Sequence, residues 1–286
     1  MASDFLRLYG LTSVDDIDLP KRWEGKTAAS PLLVPIGLDE SGTPVALDFS
    51  RFHGLDDHVL VVGAPRAGTT NLMRAIMFGL TLARSSTDLV YLVVDSNPES
   101  EFQELTRLPN CLGAAECWDE QSVWRLAQWM GGEIERREAA FEAVGADNLS
   151  EYLLKVTPEM RDPARPSTRV PYAEYFLIID DISSLVGSDF DIVCQNIRND
   201  GHRLGIRMIV RAAQPTWERL KDTDYFDGLT ARIALGLPAS QSSELFGVNV
   251  SDDLTSPGEA YLHTQQGGLI KLRVPFLGEL YRAGIV

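Results

Sequence analysis

The run His58-Val59-Leu60-Val61-Val62-Gly63-Ala64-Pro65-Arg66-Ala67-Gly68-Thr69-Thr70-Asn71 sets two glycines at G-x-x-x-x-G spacing between a β-branched stretch and the start of a helical pattern. That is the frame of a P-loop. Its glycines let successive backbone N–H groups curl around phosphate oxygens, and the helix that follows adds its positive end. Gly63, Ala64, Pro65, Arg66, Ala67, Gly68, Thr69, Thr70 and Asn71 are therefore the candidate phosphate-binding residues. A hydroxyl at Thr70 stands where such a loop holds Mg²⁺, and the residue before it is ordinarily a lysine that neutralises β- and γ-phosphate charge. Here that residue is Thr69, so the lysine is missing. Arg66 lies inside the loop, either near a phosphate or facing solvent. The competing reading is a tight strand-to-helix turn with no ligand.

The second half of a P-loop site is an acid at the end of a neighbouring apolar strand. Tyr175-Phe176-Leu177-Ile178-Ile179-Asp180-Asp181 supplies two. Asp180 would hold the Mg²⁺ and its water shell, paired with Thr70, and Asp181 would orient or deprotonate an attacking water. The alternative is that the carboxylates cap Ile182-Ser183-Ser184. Gln214 follows a strand-like run expected between the P-loop strand and the Asp180 strand, where an amide would sense a γ-phosphate or simply lie on the surface.

The elements that must position these groups alternate strand and helix. Beyond the P-loop strand, Thr70 to Ala83 has helical spacing and Leu89 to Asp95 reads as a buried strand. Ser122 to Val144 reads as a long amphipathic helix, with Val123, Leu126, Met130, Ile134 and Phe141 on its apolar stripe and Glu133, Arg136, Arg137 and Glu142 off it. Arg207 to Val210 and Ala231 to Leu235 are strand-like, and Glu259 to His263 with Leu269 to Val274 form a closing hairpin across Gln266-Gly267-Gly268. Ahead of this, Leu32 to Ile36 and Val45 to Leu47 flank Asp39-Glu40-Ser41-Gly42 as an opening hairpin, and Arg161 to Pro171 is an exposed loop. The pattern predicts an α/β fold, an open, mostly parallel sheet with helices on both faces. Residues 1–30 form a lead-in with an apolar clasp at Phe5 to Tyr9, and residues 31–286 form the domain.

Composition excludes several classes. With 26 Lys and Arg against 41 Asp and Glu the chain carries −15, which repels nucleic acid and anionic lipid at long range. Apolar residues at 44% and charged residues at 23% exclude disorder. Cys111, Cys117 and Cys194 form no CxxC pair, so neither a disulfide framework nor a zinc site is expected. His53, His58 and His263 lack metal spacing and read as structural, and Trp118, Trp124 and Trp129 read as core packing in preference to a ligand cage. No apolar run reaches the ~20 residues that span a bilayer and no signal-peptide pattern opens the chain, so a soluble, intracellular chain is expected.

From about Leu32 to Phe276 the sequence resembles the FtsK/SpoIIIE class of ATPase domains, in particular those of EccC-type ATPases of type VII secretion. The resemblance rests on Val34-Pro35-Ile36-Gly37 with Gly42-Thr43-Pro44-Val45-Ala46-Leu47-Asp48, on the P-loop frame, and on Leu92-Val93-Val94-Asp95 followed by Leu105-Thr106-Arg107-Leu108-Pro109-Asn110. Further support comes from Glu135-Arg136-Arg137 to Tyr152, from Leu204-Gly205-Ile206-Arg207 through Ala213-Gln214-Pro215, and from Leu245-Phe246-Gly247-Val248 with Ser256-Pro257-Gly258-Glu259-Ala260-Tyr261-Leu262. It implies a P-loop NTPase fold (RecA/FtsK-like), ATP and Mg as cofactors, and a cytoplasmic place as the soluble part of an inner-membrane-associated secretion complex. The membrane would be reached only through a parent protein. Implied partners are other ATPase domains of the same or an adjacent chain and Esx-type secreted helical substrates, with nucleic acid disfavoured by charge. The lead-in is most similar to that of the first ATPase domain in such tandems.

The chain departs from the family at the groups that stabilise a transferred phosphoryl. Thr69 replaces the P-loop lysine, Pro215 replaces an arginine after Gln214, and His202 stands where the family's arginine finger is expected, with Arg203 one step on. An arginine finger alone is typically worth about 10³ to 10⁵ in rate. The resemblance therefore implies a degenerate ATP-binding module with weak or no hydrolysis, or a nucleotide-free interaction module. An active ATPase with Arg66 or Arg203 compensating is the least favoured reading.

Overall fold

The computed structural model describes residues 4–27, 30–50, 57–96, 102, 104–156, 173–264 and 268–277. His53, the 161–171 loop and the Gln266-Gly267 turn lie outside these residues.

Among the described residues ten strands form one sheet. They are β1 (Leu33–Asp39), β2 (Pro44–Asp48), β3 (Val59–Gly63), β4 (Leu89–Asp95), β5 (Cys111–Glu116), β6 (Glu174–Ile179), β7 (Ile206–Ala213), β8 (Ala231–Leu235), β9 (Glu259–His263) and β10 (Leu269–Arg273), ordered β2-β1-β10-β9-β8-β3-β7-β6-β4-β5. Strands β8, β3, β7, β6, β4 and β5 run parallel, and β9, β10, β1 and β2 continue the sheet antiparallel. The P-loop strand β3 is central, with every residue buried, as a strand covered on both faces must be. The opening hairpin joins the sheet edge through β1 and β10, where Gly37 has no room for a side chain: a Cβ there would come within 2.5 Å of the Arg273 carbonyl oxygen.

Helices cover both faces. One face packs under α1 (Asp4–Leu8), α2 (Leu19–Trp23) and α3 (Thr69–Ala83). The other packs under α4 (Glu120–Val144), α5 (Leu149–Lys155), α6 (Asp189–Leu204), α7 (Gln214–Leu220) and α8 (Ala239–Phe246). The clasp expected in the lead-in forms: Phe5 packs edge-on against Phe78 of α3 at 5.6 Å, and the Trp23 Nε1 donates to the Thr81 carbonyl at 2.9 Å. Gly79 admits the Tyr9 hydroxyl, since a Cβ there would lie 2.3 Å from it.

Two expectations for the long helix are corrected. Glu133 and Arg137 are not on a solvated face; they lie on the buried stripe with Val123, Leu126, Met130 and Phe141. Arg137 is fully buried, and its guanidinium donates to Glu133 (2.7 Å) and to the carbonyls of Leu204 (2.5 Å) and Ala173 (2.8 Å). It thereby fills the acceptors left at the C-terminus of α6 and ties that helix to the start of β6. Trp118, Trp124 and Trp129 are not core residues: each is more than 40% exposed. Trp124 and Trp129 fall beside the stripe, and Trp129 stacks on Tyr175 at 5.8 Å while Arg137 lies 4.2 Å from the same ring.

Arg137→Met removes the buried half of the Glu133 pairing, leaving that carboxylate to Arg136 alone, and takes the donor from the buried Leu204 and Ala173 carbonyls, so a loss of about 2–4 kcal/mol is expected, roughly 4 °C or more in Tm. A loss under about 1 kcal/mol in a thermal or urea melt, the level of an exposed pair, would contradict this burial.

Candidate functional site

The P-loop forms between β3 and α3 as the spacing predicts. Ala64 to Ala67 close a turn through the Ala67 N–H donating to the Ala64 carbonyl (3.2 Å), with Pro65 second and Arg66 third. Arg66 has φ of 65°, a left-handed conformation that costs an ordinary side chain about 1–2 kcal/mol. Gly68 follows at φ of 101° and starts α3 with no side-chain cap. The loop is braced from two sides. The Ala64 N–H donates to the Leu235 carbonyl (3.1 Å), and the Gly258 N–H donates to the Ala67 carbonyl (2.9 Å).

This arrangement leaves a row of donors open. The first bond of α3 runs from the Leu72 N–H to the Gly68 carbonyl. Among the described residues nothing accepts the N–H groups of Arg66, Gly68, Thr69, Thr70 and Asn71. Orphan N–H groups at an uncapped helix start, with no acidic residue in its first turn, are a ready anion site. Thr69 is buried, and its Cγ2 occupies the space a Cβ on Gly63 would need, 2.2 Å away. No cation comes from that position. The Asn71 side chain is used structurally: its Nδ2 donates to the Pro275 carbonyl (2.8 Å) and its Oδ1 accepts from the Leu277 N–H (3.0 Å). An open cavity of about 600 Å³ lies between the opening hairpin and this tail, lined by Leu38, Pro257, Lys271, Leu272, Pro275 and Phe276. Its wall residues Pro257 and Pro275 belong to the segments that touch the loop.

Asp180 is buried at the end of β6, and its carboxylate has partners within the chain. Its Oδ1 accepts from the Arg211 Nε at 3.0 Å and its Oδ2 accepts from the Ser96 hydroxyl; Arg211 Nε also donates to the Asp180 carbonyl. Both carboxylate oxygens are thus engaged. A cation held by Thr70 and Asp180, as expected from the sequence, would have to displace these two partners from the carboxylate. Asp181 caps the turn Ile182–Ser184, its Oδ1 accepting from the Ser183 N–H at 3.0 Å. Gln214 donates to Gln241 (2.9 Å), which donates to Glu218 (2.7 Å), so its amide joins a polar cluster between α7 and α8.

Arg203, the residue beside the missing finger, pairs with Glu138 at 3.2 Å. His58 is structural, as expected: its Nδ1 accepts from the Met208 N–H at 3.0 Å, and burial beside Arg207 pushes its pKa down to about 3. His263 stacks on Phe246 at 5.9 Å. Cys111, Cys117 and Cys194 form no disulfide, and among the described residues no cluster of His, Cys, Asp or Glu could hold a metal ion and no helix is long and apolar enough to cross a membrane.

Arg211 and Ser96 escaped the sequence reading, which ended the β7 run at Val210. The signal was present in the spacing. Arg207 and Arg211 share one parity of a strand buried on both sides, so each needs a carboxylate from the next strand. Glu174 and Asp180 of the β6 segment meet them.

The FtsK/SpoIIIE family model matches residues 18–266. The chain belongs to the FtsK/SpoIIIE family. It is 27% identical over 290 aligned residues to the ESX-4 secretion system protein EccC4 of Mycobacterium tuberculosis, an alignment covering 98% of this chain and 23% of that protein. The chain therefore spans under a quarter of that relative's length. The fold is similar to the cytoplasmic domain of the type VII secretion ATPase EccC of Thermomonospora curvata, with a TM-score of 0.77 at 23% identity over 97% of this chain and 32% of that one. It is also similar to ATPases 2 and 3 of the same organism's EccC in complex with a signal sequence peptide, with a TM-score of 0.61 at 18% identity over 88% of this chain and 42% of that one.

Arg66→Gly relieves the left-handed strain at the loop tip and is expected to raise stability by about 0.5–1 kcal/mol in the absence of nucleotide. A destabilised variant in a urea titration would show that the Arg66 side chain holds the loop.

Proposed function

We propose that this chain is a degenerate ATP-binding module of a type VII protein-secretion motor, one that holds nucleotide through backbone donors and hydrolyses it slowly or not at all. The observation that carries this reading is the pairing of an intact, braced cradle of open N–H groups with a Thr at the lysine position. Backbone donors bind the phosphates in ground and transition states alike, which supports affinity without supporting rate. The lysine and the finger, which would favour the transition state, are replaced by Thr69 and His202. Asp181 and Gln214 are then vestiges of a catalytic set, engaged as a turn cap and in a surface cluster.

The family's P-loop domains generally bind ATP and Mg, and the likeness to EccC supports placing this domain beside other ATPase domains of the same or an adjacent chain. Esx-type helical substrates are the proposed cargo of the assembly, and the domain's place is the cytoplasmic side of an inner-membrane complex. Residues 1–30 are in this reading a lead-in whose Phe5–Tyr9 clasp packs on α3, and residues 31–286 the ATPase-like domain. A second reading, a nucleotide-free interaction module, draws on the exposed Leu112, Trp118 and Trp124.

One experiment separates the two. Thermal stability is measured with and without millimolar ATP, beside Gly68→Asp, which sets a carboxylate in the cradle. Ligand at ~100 times its Kd stabilises by about 2.7 kcal/mol, a rise of several degrees that the variant abolishes. Thr69→Lys is expected to tighten binding about 10-fold or more, by adding the absent charge. No shift for the wild-type chain at any reachable concentration favours the interaction module.

A further inference from the structure

The carboxylate that would anchor a divalent cation already has a cation of its own. Arg211 belongs to β7, the strand between the P-loop strand and the Asp180 strand, in register with Val61 of β3. Its Nε reaches both the Asp180 carboxylate, at 3.0 Å, and the Asp180 main-chain carbonyl. The Arg211 side chain is 18% exposed and that of Asp180 is 6% exposed, so the pair is shielded and its geometry is set by two adjacent strands. Ser96, at the end of β4, takes the other carboxylate oxygen.

We infer that the Arg211 guanidinium stands in for the divalent cation at Asp180, so that this loop takes a nucleoside triphosphate as a metal-free anion. The inference rests on the nucleotide reading above. A guanidinium is charged at every pH the protein meets and its planar fork matches a carboxylate. Mg²⁺ demands near-octahedral oxygen ligands and gives up its water reluctantly. To use Asp180 it would have to approach a fixed positive charge already bonded to the same oxygen, and to displace the Ser96 hydroxyl from the other. Neutralised in this way, Asp180 sets no net negative charge on the strand that ends beside the loop.

The test is calorimetric titration of the 286-residue chain with ATP, once in excess Mg²⁺ and once in EDTA. The wild-type Kd is expected to agree within about 3-fold between the two buffers. In Arg211→Met the bare Asp180 carboxylate repels phosphate, so affinity in EDTA is expected to fall about 10-fold or more and Mg²⁺ to restore it. Should that variant not fold, Arg211→Lys keeps the charge and is expected to keep the metal independence. A wild-type affinity that rises about 10-fold or more on adding Mg²⁺ overturns the inference and leaves the nucleotide reading standing.

No binding in either buffer overturns the nucleotide reading, and Mn²⁺ alone, followed by electron paramagnetic resonance, then decides the exclusion of metal. The expected result is no bound Mn²⁺ in the wild type and one site gained in Arg211→Met. Wild-type Mn²⁺ binding that Asp180→Asn removes overturns the inference, as does an absence of Mn²⁺ from both proteins.

Discussion

A carboxylate buried at the end of a central strand must be neutralised where it stands, because an unpaired charge away from water costs several kcal/mol. Asp180 is such a group, and much of the site's character follows from what neutralises it. Here the counter-charge is covalently part of the chain, on the neighbouring strand, and does not depend on a ligand arriving. The same pairing couples β7 to β6 at their carboxyl ends, as Glu174 and Arg207 couple them near their start. The centre of the sheet is thus pinned by two ion pairs of the same sense. The loop beside it is free to be shaped by other contacts.

Those contacts come from segments distant in sequence. Gly258 and Leu235 hold the P-loop backbone, and Asn71 holds the tail at Pro275 and Leu277. With the Ala64, Ala67 and Gly68 carbonyls occupied, the N–H groups of Arg66, Gly68, Thr69, Thr70 and Asn71 are left open among the described residues. The loop therefore does not need a phosphate to organise it, and the left-handed Arg66 is tolerated because its neighbours over-determine its conformation. A site built in advance of its ligand binds without a large ordering cost. It gains nothing in rate from that, because rate requires groups that act on the developing charge.

The βα frame was legible because its signals are local: β-branched runs, glycine spacing and amphipathic periods mark β3, α3, β4, α4 and β6 within a residue or two or three. The hairpins and the mostly parallel sheet followed from alternation. The failures share a cause. Arg137 and Glu133 read as solvated because charge on a helix usually is, yet the carbonyls of Leu204 at the end of α6 and Ala173 before β6 make burial favourable. Trp124 and Trp129 read as core because tryptophan usually is, yet the stripe is filled by smaller residues and by an ion pair. Arg211 is marked only by its parity with Arg207, and its partner is hidden for the same reason as that of Arg137. Whether a charge is buried depends on a partner that sequence distance conceals, and Asp180 lies 31 positions away.

Nucleotide retention without turnover is the centre of this reading, and one measurement reaches it directly. The chain is incubated with labelled ATP for hours, separated from free nucleotide, denatured, and the released nucleotide identified. Recovery as ATP, in stoichiometric amount, is the predicted result. Recovery as ADP, with phosphate released at a rate approaching the ~10 s⁻¹ typical of working enzymes, would contradict it.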